Sequence, residues 1–151
     1  GADGWSPGDV KRSLLTLPEA PAQLVLDCYE IIFSGDLGDT AGAQFLLNLT
    51  NDAWFDGSVG PAQHAHHARL RAVEEGMSLV RAANTGVSAV IDARGGLVAT
   101  IGLDRIGHLD AQLPGALGAT PYARLGEWPA VVLVMLLWLG GAALALRPDR
   151  H

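Results

Sequence analysis

The chain has 151 residues, a formal net charge of −6 and a single cysteine, Cys28, enough for one domain of ordinary size with a buried core. Residues 1–127 carry eight basic against fifteen acidic side chains and no basic stripe, so nucleic acid held through its phosphates is excluded as a partner. The lone cysteine likewise excludes an intrachain disulfide.

The chain opens Gly-Ala-Asp-Gly-Trp, with no Met and no targeting segment, and the expectation is the C-terminal portion of a longer protein. Residues 22–28 and 44–49 are short, apolar and bounded by Gly, Asp and Asn, which predicts two buried strands. A short helix or turn fits residues 36–42 between them. A helix is expected from Gly60-Pro61 to about Glu75: Pro61 suits its first turn, Ala65, Ala68, Ala72 and Leu70 or Val73 trace an apolar face, and Gly76 ends it. Further strands are expected at residues 78–83, 88–92, 97–102 and 108–113, with Ala93-Arg94-Gly95-Gly96 as a hairpin turn. Residues 114–121 read as a surface loop. From Trp128 to Leu146 nineteen residues carry no charge, and as a helix they would span about 28 Å, close to a bilayer's hydrocarbon thickness. Arg147 and Arg150 follow at once, so the positive-inside bias places the tail in the cytoplasm and the first 127 residues outside it. Strand, helix and then several strands predict an α/β sandwich rather than a barrel or bundle.

Cys28 stands where the first of these strands ends. A thiol at that place meets backbone N–H groups of the following turn, which favour thiolate and steady an oxyanion. The competing reading is a small core residue, the commoner fate of one Cys on an apolar strand. Asn51, Asp52, Trp54 and Phe55 follow the next strand, where loops line the sites of sheet-based enzymes; the two rings would wall an acyl chain or merely pack under the loop. His64, His66 and His67 do not make a metal site, because 64 and 67 share a helix face that 66 leaves and no second cluster completes the ligand set. Arg69, Arg71, Glu74 and Arg81 suit helix-surface or domain ion pairs, with Arg81 conspicuous for lying on a strand. Ser58 follows Asp56-Gly57, so the Gly-x-Ser-x-Gly elbow of a serine hydrolase is absent.

The segment Leu26-Asp27-Cys28-Tyr29-Glu30-Ile31-Ile32-Phe33 resembles the nucleophile segment of the carbon–nitrogen hydrolase (nitrilase) superfamily. Asn48-Leu49-Thr50-Asn51-Asp52-Ala53-Trp54-Phe55 resembles its membrane-bound branch, the apolipoprotein N-acyltransferases. Gly60-Pro61-Ala62-Gln63-His64, Ala68-Arg69-Leu70-Arg71-Ala72-Val73-Glu74, residues 80–90 and Thr120-Pro121-Tyr122-Ala123-Arg124 follow in that family's order. The resemblance covers roughly residues 20–147. It implies a nitrilase-like αββα sandwich, here its C-terminal half, followed by one transmembrane helix. The implied layout is a partial periplasmic hydrolase domain over residues 1–122, a linker at 123–127, the span at 128–146 and a cytoplasmic tail at 147–151, in a bacterial inner membrane.

The resemblance also implies chemistry. Cys28 would take an acyl chain from a glycerophospholipid as a thioester and yield it to the α-amino group of a lipoprotein's diacylglyceryl-cysteine, with membrane lipid as the medium and no cofactor or metal. Tyr29 would help hold the oxyanion through its backbone N–H, and Glu30 would support activity; helix-start capping is the alternative for Glu30. The family's triad adds a Glu base and an oxyanion-holding Lys upstream of the cysteine. Lys11 and Glu19 match neither motif, so both partners are expected outside this chain. Asp56 departs from the family's usual Gly. Two rivals share the resemblance: an amidohydrolase acting on a small amide, and a non-catalytic membrane-anchored relic.

Overall fold

A computed structural model describes residues 14–35, 37–38, 40–55 and 57–145. Lys11, Asp36, Asp39, Asp56, Leu146 and the tail at 147–151 lie outside the described residues. Six strands form one sheet in chain order: β1 (Leu14–Leu15), β2 (Gln23–Asp27), β3 (Phe45–Asn51), β4 (Ser78–Asn84), β5 (Ser88–Ile91) and β6 (Leu97–Ile101). β2, β3 and β4 are parallel, whereas β1, β5 and β6 run antiparallel to their neighbours. Parallel neighbours need a crossover, and helix α1 (Gly60–Glu75) supplies the one between β3 and β4.

Pairing register stacks the core in rows. Leu24, Leu46, Leu79 and Ile91 are partners across four strands, and all are at most 1% exposed. Each contributes about 1.5–3 kcal/mol of burial. Two residues further along the strands the row becomes Leu26, Asn48, Arg81 and Ala89, so polar groups enter the core on the same face. Ala68 and Ala72 of α1 complete that cluster.

The helix runs from Gly60 to Glu75 as its end signals predict, with Pro61 in the first turn and Gly76 left-handed at φ 66°. Its apolar face differs from expectation. Leu70 and Val73 are exposed, and the buried side is Pro61, His64, Ala68, Arg71, Ala72 and Glu75. On the face turned inward, His64 reaches Asp52 and the Cys28 carbonyl and Glu75 reaches Thr40, while Arg71 pairs with Glu74 one turn along the same helix. The expected strand at 108–113 is irregular and largely exposed instead. Asp110 and Gln112 interrupt its apolar content, and little burial is available to offset the loss of chain entropy. The loop after β6 is tied back to the domain by Ser78 Oγ on the Pro114 carbonyl at 2.5 Å and Leu117 N–H on the Gly76 carbonyl at 2.8 Å.

Residues 121–125, expected as loop and linker, form the short helix α2 (Pro121–Leu125), capped by Thr120, whose Oγ1 accepts from Ala123 N–H at 3.0 Å. Tyr122 and Glu74 both hydrogen-bond Ser34, and Thr120 donates to the Glu74 carbonyl. These contacts seat α2 on the C-terminal end of α1. Helix α3 (Trp128–Ala145) then runs 18 residues with none buried, long and apolar enough to cross a bilayer.

Candidate active site

β2 ends at Asp27, and Cys28 opens a 3₁₀ turn, Cys28–Ile32, rather than closing the strand. Its φ of 43° is left-handed, a conformation that L side chains other than Asn and Asp rarely adopt. Such strain persists only where the surroundings enforce it, and here they are dense. Asp27 N–H donates to Glu30 Oε2 at 2.7 Å across the start of the turn, while Ile31 is fully buried beneath it. Thr50, next on the core face of β3 after Asn48, donates its hydroxyl to Cys28 Sγ at 3.5 Å. The half-buried thiol therefore sits at the tip of a sharp strand-to-turn junction.

A buried charge network lies under that turn. Arg81 Nη2 meets Asp52 Oδ2 at 2.7 Å with both side chains fully buried, and Arg81 also donates to Asn48 Oδ1 and, through Nε, to the Val87 carbonyl at 3.2 Å. Asn48 in turn donates to the Leu26 carbonyl at 3.0 Å. Burial presses the Arg81 guanidinium below its ordinary pKa, and the Asp52 carboxylate opposes that. Thr50 Oγ1 also reaches Asp52 Oδ1 at 3.2 Å. On the other side of Asp52, His64 Nδ1 lies 2.8 Å from Oδ1, and His64 Nε2 lies 3.1 Å from the Cys28 carbonyl. Gly86 makes room for this network: a Cβ there would stand 2.0 Å from Asp52 Oδ2.

The sequence-predicted residues divide. Cys28, Tyr29 and Phe55 come together: the Tyr29 ring stacks on His64 at 5.6 Å and meets Phe55 edge-on at 5.8 Å. Tyr29 and Phe55 border a hollow of about 140 Å³ with Ile32, Gln63, His64 and His67. Glu30 caps the nucleophile turn. Asn51 Oδ1 accepts from Ala53 N–H at 3.2 Å and from Asn84 at 3.0 Å, which shapes the loop after β3. Trp54 is 81% exposed, on the same short turn, Ala53–Phe55, that carries Phe55. Glu19 lies on the turn after β1. Sequence reasoning leaves Asn48 and Thr50 unassigned, and reads Asp52 only as part of the loop after the strand and His64 only within the histidine trio. The signal for Asn48 and Thr50 is a polar residue at core-facing strand positions, Leu46-x-Asn48-x-Thr50 opposite Leu79-x-Arg81. Of the three histidines, His64 is the one buried. Among the described residues no group of three or more His, Cys, Asp or Glu is placed to hold a metal.

The site thus sets a strained cysteine at a strand end over a buried carboxylate–arginine pair. The carbon-nitrogen hydrolase profile matches residues 6–122. The chain belongs to the carbon-nitrogen hydrolase family. Among curated relatives, an apolipoprotein N-acyltransferase of Bradyrhizobium diazoefficiens is 52% identical over 134 residues, 88% of this chain and 25% of the relative. One from Rhodopseudomonas palustris is 53% identical over 131 residues, 86% of this chain and 24% of the relative, and one from Brucella melitensis is 38% identical over 141 residues, 92% and 26%. The chain thus spans about a quarter of the length of these relatives. Of solved structures, an amidase from Nesterenkonia sp. superposes with a TM-score of 0.52 at 24% identity over 66% of this chain and 40% of that one. A cysteine-to-serine mutant of the Nesterenkonia AN1 amidase, from the nitrilase superfamily, gives 0.53 at 21% identity over 87% and 50%. The fold is that of the nitrilases.

Proposed function

We propose that this chain supplies the nucleophile of an apolipoprotein N-acyltransferase. The Cys28 thiolate attacks the ester carbonyl of a glycerophospholipid, the C–O bond breaks, and a lysophospholipid leaves with its oxygen protonated. The resulting thioester is then attacked by the α-amino group of a diacylglyceryl-cysteine at a lipoprotein's N-terminus. An amide forms, the thiolate is released, and the amine's proton passes to the general base.

The observation that carries the reading is Cys28 itself. It holds a strained left-handed turn at the end of β2, inside a segment half identical to named N-acyltransferases. Half-buried Phe55 and exposed Tyr29 stand beside the thiol as an apolar wall for the acyl chain, with Trp54 at its outer edge and Asn51 fixing the loop that carries them. Tyr29 N–H serves the oxyanion, and Glu30 stabilises the turn. The Glu base and the oxyanion-holding Lys come from the remainder of the full-length enzyme. Helix α3 anchors the site at a bacterial inner membrane, with the catalytic domain on the periplasmic side, so both lipid substrates reach the thiol without leaving the bilayer.

The test uses the full-length protein with Cys28→Ser. An alcohol lacks the thiolate's nucleophilicity at neutral pH, so incubation with phospholipid should leave no acyl adduct on the variant, while the unaltered protein gains one on the Cys28 peptide by mass spectrometry. Supplying a diacylglyceryl peptide should then discharge the adduct to N-acylated product. Normal turnover by Cys28→Ser would refute the assignment, and discharge to water in preference to the amine would favour the amidohydrolase.

A further inference from the structure

His64 is 3% exposed on a helix and bridges the Asp52 carboxylate and the backbone carbonyl of Cys28. Its Nδ1 faces Asp52 Oδ1, and its Nε2 faces the backbone carbonyl of Cys28. A carbonyl oxygen can only accept, so the bond to Cys28 takes its proton from Nε2 of the ring. The ring's plane is held three ways: by Asp52, which Arg81 anchors from β4; by Tyr29 stacked at 25°; and by Phe55 edge-on at 66°.

The Cys28 carbonyl belongs to the same peptide group as the Tyr29 N–H. That peptide is trans, as are all described ones, and in a trans peptide the C=O and N–H point in opposite directions. Fixing the carbonyl inward on His64 therefore turns the Tyr29 N–H outward, to the side where an ester oxygen bound at Cys28 would carry negative charge. We propose that His64 is a positioning residue: held by Asp52 and Arg81, it clamps the Cys28 carbonyl and so aims the Tyr29 N–H at the oxyanion. This rests on the acyl-transfer reading above. It adds a residue whose hydrogen bonds go to Asp52 and the Cys28 carbonyl rather than to the thiol. A clamp of this kind affects the rate of acylation and leaves ground-state binding of the ester alone, because the N–H is recruited only as the oxyanion forms.

Two side chains of similar size separate the bridge into its halves. In His64→Asn the amide occupies the Nδ1 place and reaches Asp52; in His64→Gln it occupies the Nε2 place and reaches the Cys28 carbonyl. Both would be made in the full-length protein and mixed with p-nitrophenyl butyrate, whose burst of p-nitrophenolate counts active thiols by its amplitude and reads acylation by its rate. His64→Gln should acylate within about tenfold of the unaltered enzyme, whereas His64→Asn should be slower by roughly 10²–10³-fold, the cost of losing one oxyanion donor. The dissociation constant of the ester, read from how the burst rate saturates with ester, and Tm should match between the two. Equal acylation rates for Asn and Gln, or a loss expressed as a raised dissociation constant or as fewer active thiols at an unchanged rate, would overturn the proposal. The readout needs no lipoprotein acceptor. If the unaltered protein forms no N-acyl peptide yet the Gln–Asn difference persists in the burst, the positioning role stands and the N-acyltransferase reading falls.

Discussion

The residue that sets the electrostatics of the site is Arg81, whose charge is fully buried and faces a fully buried carboxylate. An ion pair like this contributes little over an apolar replacement of both members, yet removal of one member strands the other. Arg81→Leu should therefore cost about 3–5 kcal/mol of folding stability in the full-length protein, read by chemical denaturation in detergent, and adding Asp52→Leu should restore much of it. A single-mutant loss below about 1 kcal/mol, the range of an exposed pair, would show that the pair is solvated in solution. This network was only half legible in the sequence. Cys28, Tyr29 and Glu30 announced themselves because they are contiguous and their motif is local. Asp52, His64 and Arg81 come from a loop, a helix and a strand, and only the pairing of Asn48 with Arg81 and the pitch of α1 bring them together. Arg81 stood out as a charge on a strand, but nothing in the chain's order names its partner.

At the scale of elements, α1 was legible at both ends, because Pro61 and Gly76 act through their own backbones and need no tertiary context. Gly76 also explains why the end is fixed: besides its positive φ, a Cβ there would meet the Gly118 carbonyl oxygen at 2.4 Å. Gly76→Ala should lower Tm through backbone strain and by pushing off the 114–120 loop, with a cost above the ~1 kcal/mol of an exposed Gly-to-Ala strain alone. The inward face of α1 was not legible, since it includes Arg71 and Glu75 at the expense of Leu70 and Val73. The consequence is a pH dependence. Burial raises the Glu75 pKa above its ordinary value of 4.5, and neighbouring Glu74 adds to the rise. The folded state then holds a proton that the unfolded chain has lost, so this residue's contribution to stability falls as pH climbs from the ordinary glutamate range through the raised value. Glu75→Gln should flatten that part of the Tm-against-pH curve and raise Tm at neutral pH. An unchanged slope would mean that Glu75 is ionised in the folded state throughout.

For the whole molecule, the two faces of the sheet are unequal. Helix α1 covers the face that bears Leu24, Leu46 and Leu79. The opposite face presents Val25, Leu47 and Val80, all half-buried, and Leu49 at 42% exposed, and no described helix packs across it. A nitrilase-like sandwich has a second sheet against such a face, and the relatives are about four times the length of the segment they share with this chain. The 151-residue chain in isolation should accordingly be inactive in N-acyl transfer, although it carries Cys28. Glu19 is on the turn after β1, and both Glu19 and Lys11 lack the sequence context of the family's base and lysine. Loss of a general base and of an oxyanion partner each slows acylation roughly 10²-fold or more, and the uncovered apolar face favours self-association. The assay offers the purified chain in micelles a phospholipid and a diacylglyceryl peptide, and follows N-acylated product beside the full-length protein. Size-exclusion chromatography of the same sample should show oligomers that disperse when the remainder of the protein is co-expressed. Turnover within about tenfold of the full-length protein, a barrier difference of only ~1.4 kcal/mol, would place the base and the lysine function within these residues and return Lys11 and Glu19 to the active site.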